Sequence, residues 1–224
     1  NELKHLETLV ITKSNTKRLD LRLGPNQTLR FLDVSHNNMR RIPRGIENFD
    51  SLEYLNVSGN RIRRFPKFLR NCSNLFYINL SYNRVRTNKI KTRSNPNLRG
   101  INLSHNRLTE LPFTLSNFDN LEEVNLSYNK IQKIERDIGN KLRVLSLYSN
   151  EMDHIPRKIL ELSNLVKLDL SFNQIEVVPQ QIGKLKNLTF LSVSNNNVRE
   201  VAEEIGTLPE LKILFLHNNQ LMEL

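Results

Sequence analysis

Disulfides, tryptophan and long apolar runs are missing from this sequence, and each absence removes a class of protein. Cysteine occurs once, at Cys72, so no intrachain disulfide can form, and an oxidising compartment is disfavoured. Only seven glycines are present, and none builds a loop that could cradle a phosphate. No stretch approaches the roughly 18 consecutive apolar residues of a membrane-spanning helix. The N-terminus shows no secretory signal pattern. What remains is ordinary for a folded chain: of 224 residues, 38% are apolar and 25% charged, which argues against general disorder.

Charge is unevenly placed. Residues 1–112 hold 21 Lys and Arg against 8 Asp and Glu, whereas residues 113–224 hold 12 against 15. The two halves therefore present different fields to a partner.

One pattern dominates the chain. "LRFLDVSHNNM" begins at Leu29, "LEYLNVSGNRI" at Leu52, "LFYINLSYNRV" at Leu75 and "LRGINLSHNRL" at Leu98. "LEEVNLSYNKI" follows at Leu121, "LRVLSLYSNEM" at Leu142, "LVKLDLSFNQI" at Leu165, "LTFLSVSNNNV" at Leu188 and "LKILFLHNNQL" at Leu211, with a degenerate copy at Leu6. Nine of the ten copies carry L-x-x-L-x-L-x-x-N, and every step is 23 residues except the 21 from Leu121 to Leu142. The alternation marks a short strand, and a return of this length lays the next strand parallel to it. No single repeat can bury its apolar face, so stacked neighbours must share a core. The return segments repeat too: "RIPRGIENF", "RFPKFLRNC", "ELPFTLSNF", "HIPRKILEL" and "VVPQQIGKL" predict a turn or short helical piece on the outer side.

On these motifs the whole chain resembles the leucine-rich-repeat family. The resemblance implies an α/β solenoid, a horseshoe with a parallel concave sheet of about ten short strands, as one domain over residues 1–224. It also implies that the closing Asn of each motif (Asn37, Asn60, Asn83, Asn106, Asn129, Asn150, Asn173, Asn196, Asn219) points inward, where a buried amide must be hydrogen-bonded. The "LP..IG.L..L" flavour of the returns is similar to intracellular Ras-group leucine-rich-repeat scaffolds, and similar arrays occur in fungal adenylyl cyclases and PH-domain leucine-rich-repeat phosphatases. The chain begins without a Met and stops inside a repeat with apolar positions in register, so a longer parent protein is expected.

Between Tyr77 and Asn97 the pattern changes while the period holds. Asn88 and Thr92 stand where the preceding repeat has Phe65 and Leu69, and Lys89 stands at the proline position. With Lys91 and Arg93, this predicts a basic, loosely held outer loop inside an unbroken solenoid.

The intervening strand positions project from the concave sheet. All five tyrosines lie there: Tyr54, Tyr77, Tyr82, Tyr128 and Tyr148. Phe31, Tyr54 and Tyr77 share one column, and His36, Tyr82, His105, Tyr128 and Phe172 share another. Aromatics can simply shield neighbouring strands, but they are also the commonest interface anchors. Phe31, Tyr54, Tyr77, Tyr82, His105, Tyr128, Tyr148 and Phe172 are the candidate partner-binding residues.

A basic edge follows the buried Asn at Arg61, Arg84, Arg107 and Lys130, with Arg63 and Arg86 close by, before the column turns to Glu151, Gln174, Asn197 and Gln220. Such an edge is ordinarily just solvated. Its functional readings are an acidic protein partner, or the phosphates of nucleic acid or anionic phospholipid. Nucleic acid would call for aromatics interleaved with the cations, whereas here the tyrosines sit on the concave face and the arginines mostly on its rim.

No catalytic constellation emerges. His36 and His105 lie three repeats apart, roughly 14 Å, too far to share a metal. Cys72 aligns with Phe49, Phe118 and Leu162 and reads as a small core residue. Glu122 and Glu123 are expected on opposite sides of their strand. No enzyme activity, cofactor or metal is expected. The expectation is a protein-interaction scaffold in intracellular signalling, cytoplasmic with the nucleus as alternative. By resemblance its partners would be small GTPases or phosphatases. Four of seven Asn-X-Ser/Thr triplets (Asn56, Asn79, Asn102, Asn125) follow from the repeat, and glycans there would crowd the aromatic face. The alternatives are an anionic-polymer or lipid binder, and the regulatory array of a larger enzyme.

Overall fold

The computed structural model describes residues 5–21, 28–66, 71–86, 95–111 and 115–222. Lys89, Lys91 and Arg93 of the basic outer loop lie outside these. Strands form where the motif alternates: β1 Thr8–Val10, β2 Phe31–Asp33, β3 Tyr54–Asn56, β4 Tyr77–Asn79, β5 Gly100–Asn102, β6 Glu123–Asn125, β7 Val144–Ser146, β8 Lys167–Asp169, β9 Val177–Val178, β10 Phe190–Ser192, β11 Glu200–Val201 and β12 Ile213–Phe215. Ten of them make one parallel sheet in the order β1-β2-β3-β4-β5-β6-β7-β8-β10-β12, while β9 and β11 pair separately on the return side. This is the ten-strand horseshoe sheet that the repeat implies.

Register follows the motif, not the count. Tyr54 pairs with Tyr77 across a 23-residue step, and Glu123 pairs with Val144 across the 21-residue one. The two missing residues are therefore taken up in the return segment, leaving the sheet undisturbed. The first, fourth and sixth motif positions build the core: Leu29, Leu32 and Val34 are fully buried, and so are Leu165, Leu168 and Leu170. Among the described residues the returns are mainly 3-10 turns, at Ile46–Asn48, Leu115–Asn117, Gln180–Lys184 and Glu203–Thr207, with one α-helical turn at Arg157–Leu160. Pro156 and Pro179 sit extended just before two of these, and Ile159 and Ile182 anchor them in the core. A 23-residue period leaves room for only one tight turn, which favours 3-10 over α geometry.

The closing asparagines do point inward. Asn129 Nδ2 donates to the carbonyls of Leu103, Leu126 and Ser127, and its Oδ1 accepts from the Leu108 N–H. Each asparagine thus ties its own turn to the preceding repeat. A second ladder, not evident in the sequence, runs along the other end of the strands. Asn74, Asn97, Asn120, Asn164 and Asn187 each donate from Nδ2 to a carbonyl 24 residues earlier. Where this column has Lys141, its Nζ donates to Asn120 Oδ1 instead. Cys72 is fully buried, as its alignment predicts, and its carbonyl accepts from Nδ2 of buried Asn95, one repeat on.

Candidate interaction surface

The eighth motif position, just before the inward Asn, is left-handed in every repeat. Its φ lies between 51° and 61° at Lys13, His36, Gly59, Tyr82, His105, Tyr128, Ser149, Phe172, Asn195 and Asn218. The cause is the hydrogen-bond ladder. Here the N–H turns to donate to a carbonyl of the next repeat, as Tyr82 does to Ser104 and Tyr128 to Tyr148, and the reversal aims the following Asn into the core. For a residue with a side chain this conformation costs roughly 1–2 kcal/mol. None of the ten positions is β-branched, which is the trace this constraint leaves in the sequence. Glycine or asparagine would be the undemanding choice, yet Tyr82, His105, Tyr128 and Phe172 stand here.

Their rings form one continuous stack. Tyr82 to His105 and His105 to Tyr128 are each 4.0 Å between centroids and nearly parallel, at 12° and 15°. The eighth position of the next repeat is Ser149, and Tyr148, one residue earlier, fills the gap. It lies 5.1 Å from Tyr128 and 4.9 Å from Phe172 with tilted rings. Tyr82, Tyr128 and Phe172 remain exposed. A hydrogen bond between the Tyr128 and Tyr148 side chains raises the Tyr148 phenol above its ordinary value, and desolvation between its neighbours lowers His105.

The second column is shorter. Phe31 and Tyr54 stack at 4.7 Å and Tyr54 and Tyr77 at 5.4 Å with nearly parallel rings, close to the strand spacing of about 4.8 Å. It ends at Gly100, across which the Tyr77 ring lies. Burial, helped by Glu123 and Tyr54, raises the Tyr77 phenol against a lowering hydrogen bond from Asn102. Beyond Gly100 opens a depression of about 440 Å³ lined by Phe76, Tyr77, Glu122, Glu123 and Arg143, among others. This corrects the expectation for Glu122 and Glu123: both line the same hollow. Position two precedes the strand proper, where the alternation has not begun, and Glu122 is already paired with Arg99 at 3.8 Å.

The fifth-position asparagines are engaged as well. Oδ1 of Asn56, Asn79, Asn102 and Asn125 accepts the N–H of the Ser two residues on, which fixes these amides on the floor of the sheet.

The basic edge is held by backbone, not by counter-charges. The N–H groups of Arg61, Arg84, Arg107 and Lys130 donate to Met39, Ile62, Val85 and Leu108. Arg61, Arg63, Arg86, Arg107 and Lys130 are exposed and Arg84 is half-buried. None of the six takes part in the ion pairs of the described residues, which join other groups.

Among the described residues no group of three or more His, Cys, Asp or Glu could hold a metal, and no helix is long and apolar enough to cross a membrane. No serine or cysteine side chain there hydrogen-bonds a histidine side chain. What the surface offers is contact area.

Comparison with known proteins agrees with this architecture. The family profile described as "Leucine-rich repeat region" matches residues 97–224, and that described as "Leucine rich repeat" matches residues 4–62. The chain belongs to the leucine-rich-repeat family. Among solved structures it is similar to a chain of the LRIM1/APL1C complex, with 26% identity and a TM-score of 0.82, over 96% of this chain and 40% of that one. It is similar to the leucine-rich repeat domain of APL1B at 25% identity and a TM-score of 0.77, over 97% and 70%. The likeness to a TDR receptor has 26% identity and a TM-score of 0.71, over 97% and 40%. This chain thus spans two fifths of the LRIM1/APL1C and TDR receptor chains it resembles. A search of curated proteins finds no match.

Proposed function

We propose that this chain is a non-catalytic protein-recognition module that binds a protein partner on its concave aromatic face. The observation that carries the reading is the ring stack from Tyr82 to Phe172, in which bulky residues occupy a left-handed column where Gly or Asn would be less strained. Strain retained at a surface site is a mark of use, and exposed tyrosines are efficient interface anchors. The LRIM1/APL1C structure is a protein complex on a related scaffold, which supports the class of function.

In finer terms, the 23-residue period and proline-led returns favour the intracellular Ras-group type, with one solenoid over residues 1–224 and small GTPases or phosphatases as partners. The single buried Cys72 and the engaged asparagines of four glycosylation triplets support a cytosolic or nuclear setting. A fluorescent fusion that accumulates in secretory vesicles would sink that assignment.

The test is capture of partners from lysate, with and without nuclease, at about 50 and about 200 mM salt. Partners that survive both and are lost when Tyr77, Tyr82 and Tyr128 become Ala support the aromatic face. Recovery abolished by nuclease or salt regardless of the tyrosines overturns it in favour of nucleic-acid or anionic-lipid binding by the basic half.

A further inference from the structure

We propose that the rim cations, which form no ion pair among the described residues, together with the exposed Tyr82 and Tyr128, form a docking strip for an extended acidic segment of a protein partner. This rests on the recognition function proposed above and adds the chemistry of the occupant.

Charge satisfaction is the first observation. Elsewhere a minority of the cations are neutralised internally. Arg30 pairs with Glu53 and Arg99 with Glu122 across strands, while Arg157 pairs with Glu161 and Lys158 with Asp137 on the return side. Arg61, Arg63, Arg84, Arg86, Arg107 and Lys130 have no such partner among the described residues. Four of them stand in adjacent rows about 4.8 Å apart, where like charges repel unless an anion lies along them.

The strip also has a definite end. After Lys130 its column continues with Glu151, Gln174, Asn197 and Gln220, and three of these are satisfied internally. Gln132 donates to Glu151, Gln220 to Asn197, and Arg199 to Gln220. From Arg61 to Lys130 the strip covers four rows and the three steps between them, roughly 14 Å, the length of about four residues of extended chain.

Ring geometry selects the occupant. Single-stranded nucleic acid needs open aromatic faces. The faces of Tyr82, His105 and Tyr128 cover one another at 4.0 Å, and a base between two of them would need roughly twice that. Between neighbours in this stack only ring edges are open, and the hydroxyl of exposed Tyr82 can donate to a carboxylate as the guanidinium forks do. A bilayer would find no exposed aliphatic anchor between Arg61 and Lys130 among the described residues. An Asp- or Glu-bearing strand fits both columns.

The probe is a fluorescein-labelled peptide about ten residues long, alternating Glu and Thr, with a Gln-for-Glu counterpart. Fluorescence anisotropy with this chain should show binding of the Glu peptide and little of the Gln one. Arg61→Glu, Arg84→Glu and Arg107→Glu together should weaken it about tenfold or more. Lys184→Glu with Lys186→Glu, on the return side away from the strip, should not. Should the triple reversal fail to fold, Arg61→Gln with Arg107→Gln, both at exposed positions, should still weaken binding severalfold. Equal binding of both peptides, or binding indifferent to the arginines, overturns the proposal. So does tighter binding of oligodeoxythymidine or of phosphatidylserine vesicles. If lysate partners are lost on Tyr→Ala but kept on charge reversal, the aromatic-face function stands and the acidic strip falls.

Discussion

The ring of Tyr77 lies across the α-carbon of Gly100, so that a methyl group built there would stand 2.4 Å from Tyr77 Cδ2 and 2.7 Å from Cε2. The glycine is therefore the seat on which the shorter aromatic column ends. Gly100→Ala should lift the ring away with little effect on folding, since an edge-bound ring can swing outward, so stability should change by no more than about 0.5 kcal/mol. The Tyr77 phenol, now raised mainly by burial, should return toward its ordinary value. Ultraviolet titration of the tyrosines reads this directly: one late-titrating phenol should move earlier. An unchanged titration would show that the ring does not depend on the glycine.

The inward asparagines differ in burial, and their substitutions should differ in cost. Asn129 is buried and makes four hydrogen bonds to backbone, joining two repeats. Asn129→Ala leaves buried carbonyls and an N–H without partners and should cost about 3 kcal/mol or more. Asn219 makes the same bonds at the end of the sheet, half exposed to water. Its replacement by Ala should cost about 1 kcal/mol. Urea unfolding of the two variants checks the contrast, and equal losses would refute it.

These cases mark how far the sequence could be read. The ten strands, their parallel order, the inward Leu and Asn positions and the aromatic and basic columns all follow from a period that counts residues onto faces. The left-handed column was less visible, because Tyr82 or Phe172 does not announce a positive φ. Only the lack of β-branched residues at that position betrays it. Tyr148 belongs to the ring stack from the seventh position, not the eighth, and only the placement of Ser149 beside Tyr128 shows why. The Asn74–Asn187 ladder lies outside the L-x-x-L-x-L-x-x-N motif, and its partners 24 residues away are backbone carbonyls that no side-chain pattern records. Glu122 and Glu123 were misplaced because strict alternation begins one residue later than the motif does.

Alkaline pH should destabilise the fold through Cys72. Burial first, then Glu47 and Asp50, push its thiol up to about 12 from an ordinary 9.0. The folded chain thus holds this proton more tightly than the unfolded one. The stabilisation is complete below pH 9 and is lost as pH rises toward 12, by up to about 4 kcal/mol. Cys72→Ala should flatten the pH dependence between about 9 and 10 while lowering stability at pH 7 by about 1 kcal/mol. Tyr54 and Tyr77, both raised, leave a residual slope above pH 10. Urea midpoints measured across this range decide it: a slope unchanged in Cys72→Ala would assign the effect elsewhere.

The left-handed column offers the sharpest separation of stability from binding. Gly59 sits there with φ 61°, and a Cβ on it would stand 2.7 Å from Nδ1 of His36. Gly59→Val adds a β-branched side chain to a conformation it resists and should cost about 1–2 kcal/mol. Tyr128→Asn runs the other way. Asparagine accepts the backbone more readily, but contacts with His105 and Tyr148 disappear, each worth about 0.5–1.5 kcal/mol. The two effects oppose, so stability should shift little, by about 2 kcal/mol at most. Partner capture should nevertheless fall about tenfold or more if Tyr128 is an anchor, since such a residue contributes upwards of about 1.4 kcal/mol to a complex. Strong loss of stability in Tyr128→Asn would mean that the rings serve the sheet and not a partner.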